Sequence, residues 1–215
     1  MVERIDERGG AILPEIEVTY RTLEPPMCWE SIFGNSRPVN VEIGFGKCGF
    51  LLELAAHYQQ MNFLGIESAR KYYRKGCRKV RRAELSNVRL VMGEAVHLFQ
   101  RYIPDASIQQ VFVNFPDPWP KRRHAKRRLL QPIFLDVLVE KLMPDGIIDI
   151  ATDDDAYSQQ IGKVFADDRR YTRMYYHTRR NQDPLRPYVT EYERMFLDVG
   201  KTIHYYQYSR SLAYK

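Results

Sequence analysis

The stretch Val111 to Arg128 reads VFVNFPDPWPKRRHAKRR and holds the residues best suited to chemistry. Pro116, Pro118 and Pro120 fix φ, remove amide donors and exclude helix, so Asp117 and Trp119 stand on a stiff loop. A carboxylate held in place this way can stabilise positive charge that develops on a substrate. Behind it come Lys121, Arg122, Arg123, Lys126, Arg127 and Arg128, six cations in eight residues. The pairing suits a small reactive centre beside a polyanion. Each part also has a plainer reading: a turn aspartate, a Pro-rich connection, a solvated basic face.

These residues need a frame. Val111, Phe112 and Val113 form a β-branched and aromatic run that stops at Asn114, so a buried strand ends there. In an open α/β sheet, ligands bind beyond the carboxyl ends of the strands. A second strand, Val39 to Ile43, runs into Gly44-Phe45-Gly46-Lys47-Cys48-Gly49, after which Phe50, Leu51, Leu54, Ala55 and Tyr58 take helical spacing. This is a GxGxxG loop, in which glycines let the backbone approach a nucleotide and a helix N-terminus faces it. Phe63 to Glu67 reads as the next strand, with Glu67 placed to accept from ribose hydroxyls. Val88 to Met92 is the third, ending at Gly93-Glu94-Ala95. Dinucleotides and S-adenosyl-L-methionine (SAM) both use such a loop.

Between the second and third strands, Ala69, Tyr72, Tyr73, Gly76, Cys77, Val80 and Ala83 share one side of a helix. Arg70, Lys71, Arg74, Lys75, Arg78, Lys79, Arg81 and Arg82 fill the other. Like charges four apart repel, and a polyanion would relieve them. Leu129 to Leu142 supplies a further helix, with Leu130, Ile133, Phe134, Val137, Leu138 and Leu142 available for core. Asp145-Gly146 turns into a strand from Ile147 to Ala151, which Thr152-Asp153 closes; Asp153 is placed to cap the helix that follows. Arg170 to His177 reads as a strand, Thr178 to Val189 as a loop over the active edge, and Thr190-Glu191-Tyr192-Glu193 as the opening of the last strands.

FPDPWPKRRHAKRRL resembles the signature of the tRNA (guanine-N7)-methyltransferases, which take a methyl group from SAM. The resemblance extends through the glycine loop, the Thr-Asp step and Thr190-Glu191-Tyr192-Glu193 over roughly residues 39 to 199. It implies a Rossmann-like methyltransferase fold, a seven-stranded, mostly parallel sheet flanked by helices. It further implies methylation of a guanosine in the tRNA variable loop, position 46. Glu42 corresponds to the acidic start of the family's first SAM motif, beside the methionine end. With Gly44, Gly46, Glu67, Glu94, Ala95 and Asp117 it makes up the expected cofactor site, Glu94-Ala95 lying beside the adenine. Asp117 is the expected catalytic residue, and Lys121, Asp153, Thr190, Glu191, Tyr192 and Glu193 are the expected substrate contacts. One departure stands out: Cys48 occupies a position where the family usually has Gly, so the third glycine is displaced by one.

Composition agrees with a tRNA-modifying enzyme. At 215 residues and 44% hydrophobic, the chain suits one compact domain, expected over 39–215 after a lead-in of 1–38. Lys+Arg exceed Asp+Glu by 33 to 27, giving +6 and a pI near 9.2. Three cysteines without a CxxC pair indicate neither disulfides nor zinc and fit a reducing cytoplasm. With no apolar leader and no run of 18 apolar residues, neither secretion nor a membrane span is expected. The expected partner is tRNA, with no metal, acting as monomer or homodimer. Two rival readings remain: an NAD-dependent oxidoreductase using the glycine loop, and a non-catalytic tRNA-binding module with a decayed pocket.

Overall fold

The computed structural model describes residues 15–179 and 188–211. Seven strands form one sheet: β1 (Val39–Ile43), β2 (Asn62–Glu67), β3 (Val88–Met92), β4 (Ile108–Asn114), β5 (Leu142–Thr152), β6 (Tyr171–Arg179) and β7 (Ile203–Arg210). Their order is β3-β2-β1-β4-β5-β7-β6. The first five strands are parallel, and β7 runs antiparallel between β5 and β6. Every residue of β1 and β2 is buried, as expected of a parallel strand covered on both faces.

The alternation of strand side chains builds two cores. On one face Val41, Val111, Val113, Ile148 and Ile150 meet α4 (Ala95–Arg101), α5 (Pro132–Lys141) and α6 (Asp155–Ala166). On the other, Phe63, Leu90 and Phe112 meet α2 (Gly49–His57) and α3 (Arg70–Ala83). Tyr73, Gly76, Cys77 and Val80 are the buried side of α3, and the cations stand outside. Phe45, from the turn after β1, fills the space between α3 and β2, where a Cβ on Gly76 would come within 2.6 Å of its ring. Residues 15–38 lie on the same framework. Val18 N–H donates to the Leu90 carbonyl of β3 and Leu90 N–H to the Ile16 carbonyl, while Tyr20, Met27 and Phe33, the last in α1 (Trp29–Phe33), join the first core. The edge of β3 is thereby covered.

Five local expectations change. Thr190 to Glu193 opens no strand; it starts α7 (Glu191–Asp198). The Thr190 hydroxyl accepts from Glu193 N–H while the Glu193 carboxylate accepts from Thr190 N–H, a capping box that satisfies two otherwise unpaired donors. The cap of α6 is Asp154, which accepts from Tyr157 N–H, and not Asp153. In α5, Ile133 is exposed, and Leu135 and Val139 take the inward positions with Phe134 and Leu138. Strand pairing of β5 begins at Leu142, with Asp145-Gly146 as a bulge between the Leu142 and Ile147 pairs. Finally, β6 includes Thr178 and Arg179, where the loop is expected to open; residues 180–187 of that expected loop lie outside the described residues.

Candidate functional site

After β1 the chain winds outward to β2 and β3, then returns to β4 on the other side, so the strand order reverses between β1 and β4. A crevice opens at such a switch point, beyond the carboxyl ends of the strands. Here it is a cleft of about 950 Å³, within the range of small-molecule and cofactor sites. Gly44, Gly46, Glu67, Glu94 and Ala95 line one wall, and Asp117, Trp119, Lys126 and Arg127 the other.

The first wall is built from satisfied groups. Gly44 and Gly46 have φ of 72° and 50°, a left-handed conformation that glycine adopts freely. Gly46 N–H donates to Glu67 Oε2 at 2.9 Å, and Ala69 N–H donates to Oε1 at 2.8 Å. Glu67 therefore ties the turn after β1 to the start of α3, and each oxygen keeps acceptor capacity for a sugar hydroxyl. Glu94 caps α4 by accepting from His97 N–H at 2.9 Å, which presents Ala95 at the first helical position. Glu42 is buried beneath the loop, 2% exposed, and accepts from Asn114 Nδ2 at 3.1 Å. It faces a recess that continues from the cleft under Gly44 and Gly46. Cys48 has φ of 61°, so the glycine-like conformation falls at position 48. Gly49 is the first residue of α2, where a Cβ would meet only ordinary contact. Burial pushes the Cys48 thiol far up and keeps it neutral.

The second wall is strained and charged. Phe115 and Trp119 have φ of 50° and 43°, which bulky residues adopt only where surrounding structure imposes it. Between them Asp117 is exposed, and its carboxylate makes no hydrogen bond or ion pair among the described residues. What imposes the loop's shape is Arg128. Its guanidinium is buried, donates through Nε to the Pro118 carbonyl at 2.6 Å and through Nη1 to Gln160 at 2.7 Å, and lies 4.8 Å above the Tyr157 ring. The Tyr157 hydroxyl in turn accepts from Leu130 N–H at 3.0 Å. Arg127 stacks on Trp119 at 5.0 Å. Lys121 is exposed and stands just before the 3-10 turn Arg122–Arg127, outside the residues that line the cleft.

The remaining expected contacts divide. Asp153 lines the cleft and pairs with Lys201. Tyr192 also lines it, with its hydroxyl 3.5 Å from that of Tyr72; this contact, with partial burial, pushes its phenol up to about 12. Thr190 and Glu191 reach the recess, where Glu191 pairs with Lys47 at 2.7 Å and Lys79 at 3.5 Å. The hydrogen bond from Lys47 holds its carboxyl below the usual range. Glu193 is fully buried and points inward, accepting from the Tyr205 hydroxyl at 2.7 Å. Sequence reasoning missed Tyr72, Phe196 and Arg128 as parts of the site. Tyr72 lies in the opening turn of α3, whose basic face dominates its sequence; Phe196 lies in α7, where strands are expected from the sequence; and Arg128 is indistinguishable in sequence from the basic run around it.

A methyltransferase family model, Methyltransf_4, matches residues 36–206. The tRNA (guanine-N(7)-)-methyltransferase of Geobacter metallireducens is 33% identical over 189 residues, 88% of this chain and 90% of that one. The chain belongs to that family. The namesake of Thermotoga maritima is 35% identical over 82% of this chain, which spans only 55% of that longer relative. The family's methyl donor is SAM, and the first wall suits it: an open glycine turn, a carboxylate at the end of β2 and a capped helix start at the end of β3. Among solved structures, geranyl diphosphate C-methyltransferase from Streptomyces coelicolor, crystallised with S-adenosyl-L-homocysteine, matches with a TM-score of 0.56 and 12% identity over 83% of this chain and 72% of that one. That likeness concerns the fold alone. Membership of a methyltransferase family sets aside the dinucleotide reading of the glycine loop.

Proposed function

We propose that this chain transfers a methyl group from SAM to N7 of a guanosine in tRNA, in the variable loop. The observation that carries the reading is the placement of the Asp117 loop and the glycine loop on facing walls of one cleft at the β1/β4 switch. SAM bound on the first wall supplies an electrophilic sulfonium methyl. Guanine N7 carries a free lone pair and no proton, so the new N–C bond forms as the C–S bond breaks, with no general base required. Positioning then dominates the rate.

Glu67 accepts from the ribose, Ala95 borders the base, and Glu42 steadies Asn114 at the floor. Asp117 has no partner among the described residues, so its charge is available to the purine. It stabilises the positive charge that moves from sulfur onto the guanine and accepts from guanine donors. Trp119 offers a stacking wall, with Lys126 and Arg127 beside it for phosphate; Lys121 reaches backbone farther out, and Asp153, Thr190 and Tyr192 close the substrate side. The cytoplasm, where tRNA is abundant, is the proposed setting. The test is mass spectrometry of nucleosides from unmodified tRNA incubated with the protein and SAM: 7-methylguanosine is expected, and its absence with SAM bound would overturn the reading.

A further inference from the structure

The outer face of α3 carries more positive charge than the fold can use. Lys79 pairs with Glu191 and Arg81 with Glu17. Arg70, Lys71, Arg74, Lys75, Arg78 and Arg82 take part in no ion pair among the described residues. Arg82 sits in the last turn, where a cation complements the helix dipole. Arg70 and Lys71 oppose the dipole in a first turn that has no acid, and Ala69 gives no side-chain cap. Positions 70, 74, 78 and 82 also form a like-charge row along one line of the helix. Helix stability therefore disfavours this face at both its start and its middle.

The ridge has a direction. Ala69 and Tyr72 line the cleft, so α3 begins at the mouth and runs away from it. At 1.5 Å per residue, Arg82 lies about 18 Å farther along the axis than Arg70. The 121–128 block is different: Lys126 and Arg127 line the cleft and Arg128 is buried under the Asp117 loop.

We propose that the α3 ridge is a phosphate track for the body of the RNA, engaging its backbone well away from the methylated base and without reading sequence. This rests on the proposed reaction with tRNA and adds to it a requirement of reach. A substrate must extend roughly 20 Å from the cleft to use the whole track. Short RNA carrying the same guanosine fills the cleft and forgoes the track.

The variant is Arg74→Gln/Arg78→Gln/Arg82→Gln, three exposed changes that keep good helix formers. Binding of a tRNA transcript is titrated at several salt concentrations for wild type and variant, alongside binding of SAM. The log-log salt slope should become shallower by roughly two to three units, with SAM affinity unchanged. In a second arm, kcat/KM for 7-methylguanosine formation is compared on whole tRNA and on a short hairpin with the same guanosine. The variant should lose about tenfold or more on tRNA and far less on the hairpin. Parallel salt lines with intact SAM binding, or equal losses on both substrates, would overturn the track. So would loss of binding to anionic phospholipid vesicles with an unchanged tRNA slope. If wild type formed no 7-methylguanosine while the slopes still differed, the reaction would fall and the RNA track would stand.

Discussion

The two walls of the cleft are made differently. On the β1–β3 side each carboxylate has a partner: Glu42 holds Asn114, Glu67 holds Gly46 and Ala69, and Glu94 holds His97. On the β4 side Asp117 has none among the described residues, and its loop is kept in a strained conformation from behind by Arg128. A wall of satisfied groups keeps its shape with or without a ligand, which suits a cofactor that arrives first. An unsatisfied charge on a clamped loop gains its partner only when substrate enters, so its contribution falls on turnover.

Asp117→Asn should have the largest effect, a fall in turnover of roughly 100- to 1000-fold, with SAM affinity changed by less than about twofold. Equal losses in both would erase the distinction between the walls. Next comes Arg128→Met, which leaves the Pro118 carbonyl and Gln160 without their donor. We expect about 1–3 kcal/mol of stability lost in denaturant titration, and turnover reduced more than SAM affinity. Arg128→Lys should recover part of the turnover, and failure of any recovery would detach Arg128 from the loop. On the opposite wall Glu67→Gln should raise the SAM dissociation constant roughly tenfold, because an amide cannot accept from both Gly46 and Ala69 as well as from a ribose. Turnover at saturating SAM should hardly move; a selective loss of turnover would place Glu67 in the wrong role.

The smallest effect belongs to Cys48→Gly. A non-glycine residue in the left-handed region costs about 1–2 kcal/mol, and the buried thiol returns a similar amount through packing. Stability should therefore change by less than about 1 kcal/mol and SAM affinity should hold or improve. Abolished SAM binding would make the cysteine a required part of the loop.

Much of this geometry was legible in the residues. β1 and β3 fall where short β-branched and aliphatic segments ending at glycine placed them, Val39, Val41 and Ile43 in one and Val88, Leu90 and Val91 in the other, even though the buried Asn40, Glu42 and Arg89 interrupt both. Three prolines marked the Asp117 loop for the same local reason. The misreadings of Arg128 and Ile133 share one cause, contacts that are distant in sequence. Arg128 looks like its neighbours until the Pro118 carbonyl and the Tyr157 ring surround it. Ile133 follows helical spacing, yet α5 is rotated so that Leu135 and Val139 face the sheet. Thr190-Glu191-Tyr192-Glu193 is a different failure. Its Thr-x-x-Glu spacing is a helix-start signal visible in sequence, and it competes there with the Thr-x-Tyr-Glu motif that overlaps it.

The central claim is that guanine N7 is the nucleophile and that the cleft only positions and balances charge. A tRNA transcript made with 7-deazaguanosine keeps the shape and phosphates and lacks that atom. With labelled SAM, wild type should methylate the ordinary transcript, bind the deaza transcript with matching affinity and salt dependence, and transfer no methyl to it. Methyl transfer to the deaza transcript at a comparable rate would contradict the account.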